Sequence, residues 1–397
     1  MTRVRRRSFL KAAGGAATIG ALAGCIGGGG GGGGPITIGA LEPISGPFAP
    51  WSTVHRDGLQ YAVDEVNADG GVLGRDLEVI VEDTGADPGQ ADSSFRRLVE
   101  QEGAVATTGA VSSDVGLTVA DTAADLEVPH VLHMSGTDDV ITRDTQYIFR
   151  MGLVPATRYI QAQASAFADA GYTSVGAIVA DYAWGHSARE AIEEFFDVDV
   201  QIAVAPPSPT TDFSSYVRQM PEDLEMLIAS GHPPGTIGIA NTAIDLGYTP
   251  EVITGSSAPP PFLADGLNAE AVQRLVHIHN SDPSKSAFTD AASGFAEEYD
   301  SQFNTHTAYG YATGRMLAAA LEEAGEADPT ALADAVRNIQ FDSLFAEPIQ
   351  YSQYGELDQT VVIYSRVLPG ETPSYDPDGT FSLEELHRSE PVPAREP

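Results

Sequence analysis

Residues 36–83 read ITIGALEPISGPFAPWSTVHRDGLQYAVDEVNADGGVLGRDLEVIVED. The stretch opens on Ile36-Thr-Ile-Gly-Ala-Leu-Glu42, an apolar run of strand length. A helix is expected after it, because Leu59, Ala62, Val63 and Val66 recur at spacings of three and four. Gly70-Gly71 stops that helix by supplying a residue that accepts a left-handed cap. Leu77-Glu-Val-Ile-Val81 then reads as a second buried strand. A strand, a crossover helix and a strand make the unit from which parallel sheets are built.

The unit repeats outward along the chain. A helix is expected over 91–102, strands over 104–108 and 128–132, and a helix near 115–124 between those strands. Tyr147-Ile-Phe-Arg-Met-Gly152 reads as an extended segment suited to crossing between domains. The alternation resumes with a helix around Ile160 and Phe167, the strand Ser174-Val-Gly-Ala-Ile-Val-Ala180, a helix near 186–196 and a strand over 198–204. Strands near 224–229, 252–253 and 274–279, helices over 287–302, 308–324 and 330–339, and a late strand at 361–364 complete it. Strict alternation over more than 300 residues implies an α/β fold in two lobes, each a parallel sheet sandwiched by helices.

The ends read differently. Arg6-Arg7-Ser8-Phe9-Leu10-Lys11 and the apolar run up to Leu22-Ala-Gly-Cys25 have the form of a twin-arginine export signal closed by a lipobox, with Cys25 as the lipidated residue. Residues 1–25 are therefore expected to be an address. The run is shorter than the ~20 apolar residues of a membrane span. Residues 26–35, mostly glycine, are expected to tether the body to its anchor. Cys25 is the only cysteine, so no disulfide within the chain is available. Residues 371–397, acidic and proline-containing, are expected to fray.

A formal net charge of −35 sets the solvent. Lysine occurs only at positions 11 and 285, against 56 acidic residues. Such self-repulsion is relieved when salt at about 1 M shortens the Debye length to about 3 Å, so the composition suits a halophile. It also excludes nucleic acid as a partner, because that needs a basic footprint.

Ligands of open α/β sheets bind outside the carboxyl ends of strands. The loops there are 42–51, ending in Trp51; 109–114, containing Ser112; 133–139, containing Ser135, Gly136 and Thr137; and 181–185, containing Trp184. A helix start with serine and threonine hydroxyls can bind a carboxylate without a full positive charge, and two indoles can cover an apolar body. The competing readings are ordinary helix caps for Ser112 and Thr137, and packing for the tryptophan.

The strings SGPFAPW, DPGQADSSFRRLVEQEGAVATTGAVSS, FRMGLVPATRYIQAQA, IVADYAWGHSAREAIEEFF and THTAYGYATGRMLAAALEEAG stand in the order and spacing of one family. Over about residues 36–368 the chain resembles the periplasmic leucine/isoleucine/valine-binding receptors of ABC transporters. The resemblance implies a hinged, two-lobed binding protein. Its lobes are expected over 36–152 plus 282–347 and over 153–281 plus 348–370. It implies Trp51 as a lid, Ser112, Ser135, Gly136 and Thr137 around a ligand carboxylate and ammonium, and Trp184 reaching from the second lobe. His232 and Ser257 stand where the family places an aromatic and a carboxylate. Either Asp138, Asp139 or Asp181 then faces a ligand ammonium, or the ligand lacks one.

The expected partners are a small amino-acid-like or amide-like ligand and an ABC permease with its ATPase subunits. The membrane is expected to be met through the lipid anchor alone, on the extracellular face, with no cofactor and no catalytic group. His277 and His279 alternate on a strand without a third ligand at recognisable spacing, so a core or surface pair is expected rather than a metal site. A sensory ectodomain on the same fold and a cell-surface enzyme are the competing functions.

Overall fold

Seven consecutive buried residues make Ile36–Glu42 (β1) a strand covered on both faces, which is the environment of a parallel sheet between helix layers. The computed structural model describes residues 33–397 other than 169, 207–210, 232–234 and 396. The export signal, Cys25 and His232 thus lie outside the described residues.

The first sheet has the order β2-β1-β3-β4-β5 and is parallel throughout. Its other strands are β2 (Leu77–Asp83), β3 (Ala106–Gly109), β4 (His130–Leu132) and β5 (Ile148–Arg150). The segment expected as a crossing is therefore first an edge strand, and the crossing begins after Arg150. Helices α1 (Ala49–Ala68), α2 (Pro88–Glu100) and α3 (Ser113–Leu126) connect these strands. Asp87 starts α2 by accepting from the Gln90 backbone N–H at 2.8 Å.

The second sheet begins after α4 (Ala156–Ala168) with β6 (Val175–Ala180), α5 (Ala183–Phe195), β7 (Val200–Ala205) and α6 (Ser214–Val217). It continues through β8 (Met226–Ser230), α7 (Gly235–Asp245), β9 (Val252–Ser256), α8 (Pro260–Gly266), α9 (Ala271–Arg274) and β10 (Leu275–His279). The chain then returns to the first sheet's side as α10 (Ser286–Glu298), α11 (Thr305–Ala324) and α12 (Pro329–Asn338). Helix α11 lies along α1. A Cβ on Gly58 would sit 2.0 Å from the Thr307 carbonyl oxygen, and one on Gly310 would sit 1.9 Å from that of His55. Only glycine at both crossings permits this approach.

A short pair, β11 (Gln359–Thr360) and β14 (Val392–Pro393), flanks the last two strands of the second sheet, β12 (Ile363–Pro369) and β13 (Phe381–Arg388). That sheet runs β13-β12-β10-β9-β8-β6-β7, parallel except at the β12 and β13 edge. The tail thus corrects an expectation: residues 381–388 do not fray but pair antiparallel with β12. Phe381 is buried, and Arg388 donates to Asp282 at 2.6 Å. The acidic composition hid the strand, because an edge strand keeps Glu384 and Glu385 in water.

Candidate ligand-binding cleft

The site is built first by a sharp turn after β3. Gly109 has φ 128° and Ala110 has φ 62°, a left-handed conformation that an alanine adopts only under local constraint. A Cβ on Gly109 would lie 2.1 Å from the Leu41 carbonyl oxygen. The turn delivers Ser112 to the N-cap position of α3 with an extended backbone, but its side chain makes no capping bond. The cap reading of Ser112 therefore fails. The first N–H groups of α3 have no acceptor within the helix, and its positive dipole end faces the same way.

The next loop, 133–139, is held from below. Arg150, at the end of β5, is buried to 1% exposure. Its Nη1 donates to the carbonyl oxygens of Ser135 and of Leu153, and its Nη2 donates to that of Thr137 at 3.3 Å. Its Nε donates to both carboxylate oxygens of Glu356, at 2.8 and 3.1 Å. One guanidinium therefore fixes the backbone of residues 135 and 137, while a glutamate more than 200 residues away neutralises it. Ser113 Oγ accepts the Thr137 N–H at 3.3 Å, which ties the two loops together.

The second lobe closes over these loops. Thr137 Oγ1 and Ser187 Oγ of α5 share a hydrogen bond of 3.0 Å, and the Asp138 N–H donates to Ser187 Oγ at 3.4 Å. The Ala183 N–H donates to Asp114 Oδ1 at 3.3 Å. Trp184 donates its indole N–H to Ser230 Oγ at 2.8 Å and meets Tyr159 edge-on. Trp51 of α1 stacks at 6.3 Å and 9° on Phe262 of α8. Between the indoles lies a cavity of about 40 Å³. Its lining includes Trp51, Val111, Met134, Leu153, Tyr182 and Trp184, with Thr236, Ile237, Ser257 and Ala258 on the far side. None of these lining side chains is an acid or a base.

Of the residues predicted from sequence, Trp51, Trp184 and Ser257 line the cavity. Gly136 lies directly beneath the second indole, since a Cβ there would sit 2.5 Å from Trp184 Cζ3. Ser135 and Thr137 are fully buried just behind, and Ser135 Oγ has no hydrogen-bond partner among the described residues. The three aspartates considered for a ligand ammonium are absent from the lining. Asp138 accepts from the Thr157 hydroxyl and N–H; burial pushes its carboxyl up, and those hydrogen bonds partly oppose the shift. Asp181 pairs with His186 at 2.8 Å in the open.

Sequence reading missed Tyr182, although it is two residues from Trp184 in a quoted string, and Leu153, just past the crossing. It also missed Arg150 and Glu356, whose pairing leaves no local signal. His277 and His279 form the expected core pair, buried and stacked at 5.1 Å.

Two α/β lobes joined by repeated crossings, with side chains from both facing one neutral cavity, define a hinged solute receptor. Over residues 35–367 the chain matches the model of the periplasmic binding protein family, and it belongs to that family. The Leu/Ile/Val-binding protein BraC3 of Rhizobium johnstonii is 27% identical over 338 residues, covering 81% of this chain and 89% of that protein. The crystal structure of the leucine binding protein LivK of Thermotoga maritima superposes with a TM-score of 0.75 at 20% identity, covering 89% of this chain and 98% of that one. A solute binding protein of R. palustris in complex with 4-hydroxybenzoate gives 0.75 at 19% identity, covering 89% and 96%.

Proposed function

We propose that this protein is the extracytoplasmic receptor of an ABC importer, and that it binds a small monocarboxylate between its lobes by hinge closure. The observation that carries the reading is the cleft itself. Two indoles and aliphatic side chains line the cavity, and Ser112, whose hydroxyl makes no capping bond, stands outside that lining but next in sequence to its Val111 at the start of α3, where it is a candidate donor to a carboxylate. A buried ammonium without an anionic partner is costly, and no described lining residue is acidic. The wall therefore favours an aromatic or branched aliphatic acid over a free α-amino acid. Among relatives, one is described as Leu/Ile/Val-binding and a structural neighbour was crystallised with 4-hydroxybenzoate, so the family's architecture serves both kinds.

Export by the twin-arginine signal and anchoring through Cys25 complete the proposal. Closure in the presence of ligand would present the shape that a permease recognises. Isothermal calorimetry in molar salt tests it, with benzoate, 4-hydroxybenzoate and isovalerate set against leucine, isoleucine, valine and urea. Heat from the acids and weaker or no heat from the amino acids is the expected pattern. Tight binding of leucine with none of benzoate would overturn the assignment of ligand class, and turnover of any of them would overturn the receptor reading.

A further inference from the structure

Trp184 of α5 forms one wall of the cavity, and its indole is held at two opposite edges. At one edge Nε1–H donates to Ser230 Oγ at 2.8 Å. The other edge lies over Gly136 of the first lobe, where a Cβ would come within 2.5 Å of Cζ3 and 2.7 Å of Cε3. Tyr159 meets the ring at 5.6 Å and 76°. The ring thus reaches from the end of β8, in its own lobe, to the ligand loop of the other. Both ends of the indole hydrogen bond are buried, Trp184 at 6% exposure and Ser230 at 0%.

Ser230 is rigidly mounted. Its backbone pairs with Val179 of β6 through Val179 and Ser230's neighbours in register. Thr236 Oγ1 donates to the carbonyl oxygen of the preceding Ala229 at 2.9 Å. A Cβ on the following Gly231 would sit 2.7 Å from the Gly235 carbonyl carbon, so the first turn of α7 closes directly on the strand end. The ring it holds has two orientations to choose from, because a tryptophan side chain turns about χ2 between two broad wells. A half-turn would exchange the edges and send the N–H toward Gly136. Among the described residues the backbone acceptors there are engaged: the carbonyls of Ser135 and Thr137 accept from Arg150, and that of Gly136 accepts the Ala156 N–H at 3.0 Å.

From this geometry we infer that Ser230 is a positioning residue of the cleft: its hydroxyl selects which edge of Trp184 faces the ligand loop, and so fixes the wall that the second lobe contributes to the cavity. The inference deepens the receptor reading above and rests on it for its ligand part. Ser230 itself stands outside the cavity lining, so its effect passes through the indole. Without the hydroxyl, water serves the indole N–H while the lobes are apart. In the closed cleft that N–H has no acceptor, so the loss falls on closure and on ligand affinity. A donor stranded out of water costs more than its hydrogen bond contributes.

The test uses the full-length protein, isotope-labelled on nitrogen for magnetic resonance, in molar salt. Two tryptophans give two indole N–H signals, and Trp184→Phe shows which belongs to Trp184. In ligand-free protein, Ser230→Ala should move that signal, leave the Trp51 signal in place, and speed exchange of the Trp184 indole proton with water about 2–12-fold. In calorimetry with benzoate, Ser230→Ala should raise Kd about 5–160-fold, as stranding a buried donor requires. In Trp184→Phe, which has no indole N–H, adding Ser230→Ala should change Kd by less than about twofold. A Trp184 signal unmoved in Ser230→Ala, or an equal loss of affinity in the two backgrounds, would overturn the inference. No heat from the wild type with benzoate or isovalerate would instead overturn the ligand class, and the indole signals would then decide the role of Ser230 by themselves.

Discussion

Replacing Arg150 with methionine tests how the ligand loop is held. The substitution preserves an unbranched side chain but removes every donor described above: the pair to Glu356 and the bonds to the carbonyls of Ser135, Leu153 and Thr137. Glu356 is itself only 8% exposed at its side chain, and among the described residues it keeps the Leu357 N–H at 3.0 Å as its one hydrogen-bond donor. Breaking a buried pair from one side leaves an uncompensated charge and costs about 3–5 kcal/mol. Three carbonyls losing donors add to that, so the single variant should sit at the upper end. Adding Glu356→Met removes the stranded charge, and the double variant should be more stable than Arg150→Met alone by about 2 kcal/mol or more. Denaturant unfolding in fixed molar salt closes the double-mutant cycle, and calorimetry on the double variant reads the site. Its ligand affinity should remain poor although its stability recovers, because residues 135 and 137 stay unclamped. A single-variant cost under 1 kcal/mol, or wild-type affinity in the double variant, would show that the guanidinium does not position the loop.

Other predictions follow from single contacts. Thr137→Ala removes the hydroxyl that meets Ser187 across the cleft; one net hydrogen bond of about 0.5–1.5 kcal/mol predicts a Kd raised about 2–12-fold, with circular dichroism unchanged. Gly136→Ala places a methyl 2.5 Å from the Trp184 ring, so calorimetry should find binding weakened about 5–160-fold, the equivalent of an overpacking cost of about 1–3 kcal/mol. Burial pushes the Asp282 carboxyl up, but hydrogen bonds from Arg388 and Ser284 outweigh it and hold it at about 2. A depressed folded value stabilises above the ordinary carboxylate range and is lost as pH falls through it. Arg388→Ala should therefore be about 1 kcal/mol less stable at neutral pH, after allowance for screening at this half-open site, and the gap should close between about pH 4 and 2 in acid unfolding curves. Dilution from about 3 M to 0.1 M KCl lengthens the Debye length to about 10 Å, and Tm should fall steeply; a flat Tm would refute the halophile reading of the charge.

The parts legible from sequence are those whose cause is local. The apolar run at 36–42 could be read because all seven residues are buried, and Trp51 and Trp184 because each follows a strand end that the alternation had placed. Ser112 was ambiguous in sequence, since a helix cap and a ligand donor require the same residue type at the same position. Only its missing capping bond separates them. Arg150 and Glu356 were illegible for the opposite reason: an arginine in Ile-Phe-Arg-Met gives no sign of a glutamate on a crossing segment far down the chain. The tail failed by composition, because charge on the exposed face of an edge strand reads like disorder.

Among the described residues the contacts that close the lobes are few, and that bears on how the receptor works. Across the cleft run the Thr137–Ser187 and Ala183–Asp114 bonds, the second bond to Ser187, the His306 bond to the Ser257 carbonyl and the Trp51–Phe262 stack. At about 0.5–1.5 kcal/mol each, they amount to a few kcal/mol. Against them stands the mutual repulsion of two acidic lobes, which grows as salt is withdrawn. Closure is thus set near the point where a solute touching both lobes decides it, since a ligand shifts an equilibrium only by its differential affinity for the two states. Salt and solute should then act on one equilibrium: Ser187→Ala, which strips two of these bonds without touching the cavity wall, should require more salt to give the closed envelope in X-ray scattering at a fixed ligand concentration. If the variant closes at the same salt as the wild type, closure is held by the cleft walls alone and the polar bridge is incidental.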